Sequence, residues 1–292
     1  MAASETETLV LDEELAGLDL LELAGDAGNS TGQRIWKATW PKVAAVALGI
    51  GVWQLVVWSG WKPEFALAPP RDAWDDLWGY ATDGTLTTAL GITMRRAFVG
   101  FSLAIVIGTV VGSLVARIPT LQAAFGSLIT GVQTMPSIAW FPLAILLFQL
   151  SERAIMFVVV LGAAPSIANG LISGADTIPP ILLRAGQVLG ARGLAAYRYV
   201  VLPGSLPSFV GGLKQGWAFA WRSLMAGELL VVIRGQESIG FLLTQNRAVN
   251  NSSGLLATMI VILVIGIVVD SLVFGTLQRA IHRRWGLLET SR

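Results

Sequence analysis

Three charged residues fall within one hydrophobic segment, residues 208–233: Lys214, Arg222 and Glu228. A charge inside a bilayer costs roughly 2.5–3.5 kcal/mol on insertion scales, so residues of this kind are functional candidates wherever such a segment crosses a membrane. If the segment is helical, Gln215 and Arg222 lie on the same stripe of its surface. Arg222, helped by Lys214 and Gln215, would then favour small anions in a translocation pathway.

The same charges allow a second interpretation. Arg222 and Glu228 are six residues apart and face different directions on a helix, so they do not pair within it. Arg222 would instead pair with a buried acid or carbonyl on a neighbouring helix, while Lys214 and Glu228 extend to opposite membrane surfaces. The sequence leaves both interpretations open.

The residues that the chain lacks exclude several kinds of chemistry. There is no cysteine, which excludes disulfides, iron–sulfur clusters and thiolate metal sites. The single histidine, His282, lies in a basic stretch, which argues against histidine-based metal binding and acid–base catalysis. No Gly-x-x-x-x-Gly-Lys-[Ser/Thr] sequence is present to bind ATP phosphates. These absences predict a non-catalytic chain with no cofactor of its own.

The composition predicts an all-α, polytopic membrane protein. Hydrophobic residues make up 54% of the chain and charged residues 13%, and the mean hydropathy is +0.66. Several apolar runs approach or exceed the roughly 20 residues that span a bilayer core. We expect about six spans, at residues 43–60, 92–116, 121–150, 154–173, 208–233 and 255–277.

The third apolar run is too long and too broken for one straight helix. Pro136 and Pro142 each remove a backbone donor and bend or split it. Irregular backbone at membrane depth is tolerated where it is buried in protein or lines a wet cavity. Gln133 and Pro136 are therefore candidate pathway residues, together with Gln215, Arg222 and Glu228 of the segment 208–233.

Charge patterning sets the predicted domains and orientation. Residues 1–33 hold eight acids and no base, which predicts a largely disordered cytoplasmic tail. Residues 34–285 form the transmembrane domain, and residues 286–292 a short cytoplasmic tail. Arg34, Lys37 and Lys42 precede the first apolar run, so the positive-inside rule places both termini in the cytoplasm.

The stretch 184–207 is polar and basic, yet membrane-length apolar runs flank it. We expect a cytoplasmic loop that contains a helix over 185–199, ended by Pro203 and Pro207. From composition alone, a helix lying on the membrane surface is an equal alternative.

This stretch resembles the coupling motif of ABC-importer permeases, which reads Glu-Ala-Ala, three residues, Gly, nine residues, Ile-x-Leu-Pro. Arg184 and Gly186 depart from the upstream half of that pattern. Other similar stretches run from Met135 to Leu143 and from Leu202 to Leu213, and they resemble the permeases of aliphatic sulfonate, taurine and nitrate importers. The motif residues are Arg184, Ala185, Gly186, Gly190, Val200, Leu202 and Pro203.

The resemblance implies a type I ABC-importer permease in the cell membrane of a prokaryote. Two copies would form the pathway, two cytoplasmic ATP-binding subunits would hold ATP and Mg²⁺, and an extracytoplasmic binding protein would deliver the solute. No nucleic acid is expected. The implied solute is a small anion, an aliphatic sulfonate or taurine, with nitrate, bicarbonate or another small solute as alternatives. An ion-coupled secondary transporter is a more distant alternative, because the chain shows no inverted repeat.

Overall fold

The computed structural model describes residues 31–284 and divides the chain into two compact units, the second of which starts at Glu64. The first unit contains one described helix, α1 (Thr31–Trp58), which corresponds to the predicted span 43–60. Residues 1–30 of the predicted acidic tail, and the whole predicted tail 286–292, lie outside the described residues.

The second unit is helical, and five of its helices have a proline in their first turn. Proline suits this position because its missing N–H would be unpaired there in any case. A 3₁₀ helix (Ser137–Trp140) and two π-helices (Tyr197–Val201 and Val269–Phe274) connect longer elements. In order, the helices are α2 (Pro70–Thr82), α3 (Thr85–Arg117), α4 (Pro119–Thr134), α5 (Phe141–Phe148), α6 (Glu152–Asp176), α7 (Pro180–Val188), α8 (Leu194–Ala196), α9 (Leu202–Leu230), α10 (Ile239–Ala248), α11 (Ser252–Val268) and α12 (Gly275–Arg284).

Helix α6 lies at the centre of this unit and packs along both α3 and α9. Its backbone touches that of α9: a Cβ added to Gly212 would lie 2.8 Å from the Cα of Gly170. Further along, a Cβ on Gly174 would lie 2.7 Å from the Cβ of Ser205. The contact partners run in opposite order, so the two helices are antiparallel. Small residues at helix contacts are typical of membrane proteins, because they let backbones approach closely.

On its other side, α6 is in similarly close contact with the backbone of α3. A Cβ added to Gly108 would lie 2.7 Å from the carbonyl oxygen of Ala164, and one added to Gly112 would lie 2.8 Å from the Cα of Ala168. The core between the three helices is mainly small and branched aliphatic residues, and an aromatic group from α3, α9 and the second π-helix closes it.

The all-α membrane fold is confirmed, with 85% of the structure helical. Within the described residues, four helices are long and apolar enough to cross a membrane, or five if α4 and the 137–148 stretch, which are bent by 100°, count as one broken span. The predicted span 208–233 corresponds to α9, which does not meet this apolar criterion although it has 29 residues. Its charged, glycine and polar residues lower its hydropathy, and α6 covers one of its sides instead of lipid.

We expect Gly212→Ala to lower the thermal stability of the purified protein, because the added methyl group would overlap the backbone of α6. Overpacking of this kind costs about 1–3 kcal/mol. Gly211→Ala is the matched control, since a Cβ at the neighbouring position meets nothing within 4 Å. Thermal unfolding in detergent would measure both variants. Equal melting temperatures for the two would contradict the close helix contact.

Candidate functional site

The segment 180–203 forms a tight turn rather than one helix over 185–199. Helix α7 ends at Val188, and its C-terminus closes with two bonds: the Gly190 N–H donates to the Gln187 carbonyl (3.1 Å) and the Ala191 N–H to the Gly186 carbonyl (2.8 Å). This Schellman pattern requires a left-handed residue, and Gly190 has φ +86°. The predicted continuous helix is therefore wrong, because Gly190 reverses the chain.

Proline also acts differently from the prediction. Pro203 does not end a helix but lies in the first turn of α9, and Pro207 lies inside that helix. The π-helix Tyr197–Val201 runs directly into α9. The last part of the segment 180–203 is therefore continuous with this long helix. Proline at the start of a helix costs no backbone hydrogen bond, which explains the observed position.

The two halves of the predicted motif come together in this turn. A Cβ added to Gly186 would lie 2.7 Å from Val200 Cγ2, so only glycine lets α7 pack against the π-helix at this distance. Arg184 and Ala185 are exposed on α7, while Leu202 and Pro203 are exposed at the start of α9.

Two exposed hydrophobic side chains, Val188 and Leu189, form the tip of the turn. Val188 is 87% exposed and Leu189 is 86% exposed. Exposed arginines surround them on both sides of the turn: Arg184, Arg192 and Arg198. An apolar tip with a cationic rim is suited to binding a protein groove that is apolar inside and acidic at its edge.

The stripe predicted for α9 is exposed along the middle of the helix. Gln215, Ala218 and Arg222 all lie on this side, whereas Trp217 and Trp221 face the core. Arg222 Nε donates to the Ala218 carbonyl (3.0 Å), and its guanidinium lies 4.7 Å from the centre of the Phe219 ring. No carboxylate among the described side chains forms an ion pair with Arg222. The alternative in which it pairs with a buried acid or carbonyl on a neighbouring helix is therefore not observed among the described residues, since the Ala218 carbonyl lies on its own helix.

Lys214 and Glu228 do not extend to opposite surfaces. Lys214 Nζ lies 3.2 Å from Asp270 Oδ2, in a partly exposed pair. Glu228 is only 1% exposed, so it does not line the exposed stripe with Arg222. As a candidate pathway residue it is in the wrong place, because a neighbouring helix holds its carboxylate.

That neighbour is Arg96 of α3, which the sequence reasoning missed. Arg96 Nη1 donates to Glu228 Oε1 (3.0 Å), and the Arg96 side chain is 2% exposed. Arg96 also donates to Gln236, and its Nε lies 3.4 Å from Glu152 Oε1. Removing one member of a buried pair leaves a lone charge and costs about 3–5 kcal/mol. The signal available in the sequence was that Arg96 and Glu228, which have opposite charges, each lie in a predicted membrane span.

Gln133 and Pro136 lie at the bend between α4 and α5. Gln133 Oε1 accepts a hydrogen bond from Asn169 Nδ2 of α6 (2.7 Å), and Pro136 is exposed at the start of the 3₁₀ helix. The predicted break at Pro136 is thus confirmed, and the Gln133 side chain beside it is directed to α6. Among the described residues no cluster of His, Cys, Asp or Glu could hold a metal ion.

Comparison with known proteins identifies the same architecture. A family model described as "Binding-protein-dependent transport system inner membrane component" matches residues 85–286. A putative ABC transporter permease protein of Methanocaldococcus jannaschii is 29% identical over 234 residues, which covers 78% of this chain and 86% of the relative. The taurine transport system permease protein of Escherichia coli is 28% identical over 264 residues, which covers 85% and 92%.

A solved structure shares the fold as well. An inward-facing methionine ABC transporter matches with a TM-score of 0.58 at 20% identity, over 68% of this chain and 96% of the other. At that identity the likeness concerns the arrangement of helices alone.

We expect Gly186→Ala to raise hydrogen–deuterium exchange in α7, because the added methyl group would push the helix away from Val200. Val200→Ala removes the opposing methyl groups, so the double variant should exchange like Val200→Ala alone. The coupling between the two substitutions should be about 0.5–3 kcal/mol. Gly126→Ala is the control, since a Cβ on that helical glycine meets nothing within 4 Å. If Gly186→Ala behaved like this control, the contact would be refuted.

Proposed function

Because the chain belongs to the family of binding-protein-dependent transport system inner membrane components, and is therefore an ABC-importer permease, we propose that the exposed stripe of α9 lines a pathway for a small anion. Permeases of this family are non-catalytic, and ATP hydrolysis takes place in a partner subunit. They work with ATPase subunits and a binding protein. This family membership decides against an ion-coupled secondary transporter.

The observation that carries the anion proposal is the state of Arg222. Lys214 and Glu228, the other charges of the same helix, each have a partner of opposite sign. Arg222 is exposed and has no carboxylate partner among the described side chains. A charge at membrane depth needs water, protein or a ligand around it. An aqueous pathway supplies that environment, and its arginine would favour anions over cations.

Sulfonate chemistry fits this side chain. The planar guanidinium binds oxyanions through two parallel N–H donors, and in Arg222 only Nε is engaged with the backbone. We therefore propose an aliphatic sulfonate or taurine as the solute, in line with the name of the Escherichia coli relative. Nitrate and bicarbonate are oxyanions with the same single negative charge as a sulfonate group, and they are the alternative solutes that a transport assay must separate.

Arg222→Gln should reduce taurine uptake about ten- to hundredfold in the assembled complex, because a hydrogen bond to a charged group is worth about 1.5–3 kcal/mol. Arg222→Lys keeps the charge but not the paired donors, so its taurine uptake should lie between that of the unsubstituted protein and that of Arg222→Gln. Uptake of labelled taurine, nitrate and bicarbonate by proteoliposomes would measure the effect for each solute.

Arg153→Gln serves as the control, since this exposed arginine lies in the first turn of α6 rather than on α9. Uptake in Arg222→Gln equal to that in the control would overturn the pathway role. A different result would change the solute alone. If the unsubstituted protein took up nitrate but no taurine, and Arg222→Gln lost that nitrate uptake, nitrate would replace taurine as the proposed solute and the pathway role of Arg222 would stand.

We also propose that the segment 180–203 is the site where an ATP-binding subunit docks. The exposed Val188 and Leu189 would enter a groove of that subunit, and its rim would present an acid or a carbonyl to Arg184. This arrangement places the segment and both chain termini in the cytoplasm of a prokaryotic cell, and α10 on the outer side. Two copies of the chain would then enclose the pathway, and two ATP-binding subunits would hold ATP and Mg²⁺.

Leu189→Glu should reduce co-purification of the ATP-binding subunit at least about tenfold, because it places an unpaired charge in an apolar groove and central interface residues often contribute 2 kcal/mol or more. Val249→Glu is the matched control: this side chain is 66% exposed, but it lies after α10, at the opposite end of α9. Pull-down of the tagged ATP-binding subunit would measure both. Equal recovery with both variants would rule out docking through this tip.

A further inference from the structure

The N-terminus of α10 is held by side chains from distant parts of the chain. The first N–H groups of any helix have no partner within it. In α10 three of them are bound, two by other helices and one by its own cap. The pairs are Ile239 N–H to Thr93 Oγ1 (3.0 Å), Gly240 N–H to Glu228 Oε2 (3.0 Å) and Phe241 N–H to Ser238 Oγ (3.3 Å).

Thr93 and Glu228 act as one unit in this contact. The Thr93 hydroxyl lies 3.1 Å and 3.0 Å from the two carboxylate oxygens of Glu228, and it donates to that carboxylate while it accepts from Ile239. Both residues are buried, at 0% and 1% exposure. Because no water competes for these groups, the direction of α10 is fixed by α3 and α9.

Steric contact adds to the hydrogen bonds. A Cβ added to Gly240 would overlap the Cβ of Glu228 and approach its backbone. The start of α10 therefore lies directly against the last turns of α9, with no side chain between them. Movement of α9 alone would break this contact together with the hydrogen bonds that Glu228 accepts from Gly240, Thr93 and Arg96.

Helix α9 connects this contact to the segment 180–203. It runs without a break over 29 residues from Leu202 to Leu230, and its start continues the π-helix of that segment. At about 1.5 Å per residue its length is roughly 43 Å. The proposed docking tip and α10 thus lie at the two ends of one rigid element.

We propose that Thr93 and Glu228 are positioning residues that make α10 move with α9, so that a shift at the segment 180–203 reaches the opposite side of the membrane. The inference rests on the proposed docking of an ATP-binding subunit, which supplies the shift. Arg96 contributes by pairing with Glu228, since its Nη1 lies 3.0 Å from Glu228 Oε1 and holds the carboxylate in place.

Spin labels can test this directly, because the chain has no cysteine of its own. Single cysteines at Ala218 on α9 and at Gln245 on α10, both exposed, would each report the distance between two copies in the assembled complex. In the unsubstituted protein we expect both distances to change on addition of ATP, Mg²⁺ and vanadate. In Thr93→Val the distance at Ala218 should still change, while that at Gln245 should no longer follow it.

Two variants serve as controls, and a third is a second test of the same contact. Thr109→Val makes the same change on the same helix at a buried hydroxyl that has no hydrogen-bond partner among the described residues, and it should leave both distance changes intact. Thr93→Ser keeps the hydroxyl and should also leave both intact. Gly240→Ala disturbs the same contact from the other side and should uncouple Gln245 as Thr93→Val does.

Several outcomes would overturn the proposal. One is a distance at Gln245 that still follows Ala218 in both Thr93→Val and Gly240→Ala. Another is a distance at Gln245 that never changes in the unsubstituted protein although Ala218 moves. If neither label moved on addition of nucleotide, the proposed docking and this inference would both be contradicted.

Discussion

Charged side chains at membrane depth cannot face lipid, and α9 carries three of them: Lys214, Arg222 and Glu228. Its charged residues and its low hydropathy require protein or water on every side. One side is closed by α6, whose backbone touches that of α9 at Gly170 and Gly212. A second side holds Glu228 against Arg96 of α3. The third side, with Gln215 and Arg222, stays exposed. The position of α6 between α3 and α9 follows from this need.

The sequence is sufficient to predict the long membrane helices because each signal is local. Hydrophobic runs mark these helices, and the helical repeat predicts that Gln215 and Arg222 share a stripe. It is not sufficient to predict the partners of the charges. Arg96 and Glu228 are 132 residues apart, and helical periodicity relates residues only within one helix. The interpretation that places Glu228 at a membrane surface is wrong for this reason.

The segment 180–203 shows a second limit of prediction from sequence, because one residue type can have two structural roles. Proline both ends helices and begins them, and Pro203 begins α9 instead of ending a helix. Glycine has the same ambiguity. Gly190 is required by its left-handed conformation, whereas Gly186 is required by the methyl group of Val200. The motif spacing alone identifies both positions, but only the three-dimensional contacts separate the two physical reasons.

These contacts also limit how the subunit can change shape. Helices α3, α6 and α9 meet backbone to backbone at several glycines, so sliding one past another would force backbone atoms into overlap. The buried pair of Arg96 and Glu228 opposes separation of α3 from α9. Neither restraint acts on the exposed side of α9, where Arg222 has no carboxylate partner among the described side chains. In the proposed assembly of two copies, movement during transport is therefore expected between the copies across this side, with α3, α6 and α9 of each copy moving together.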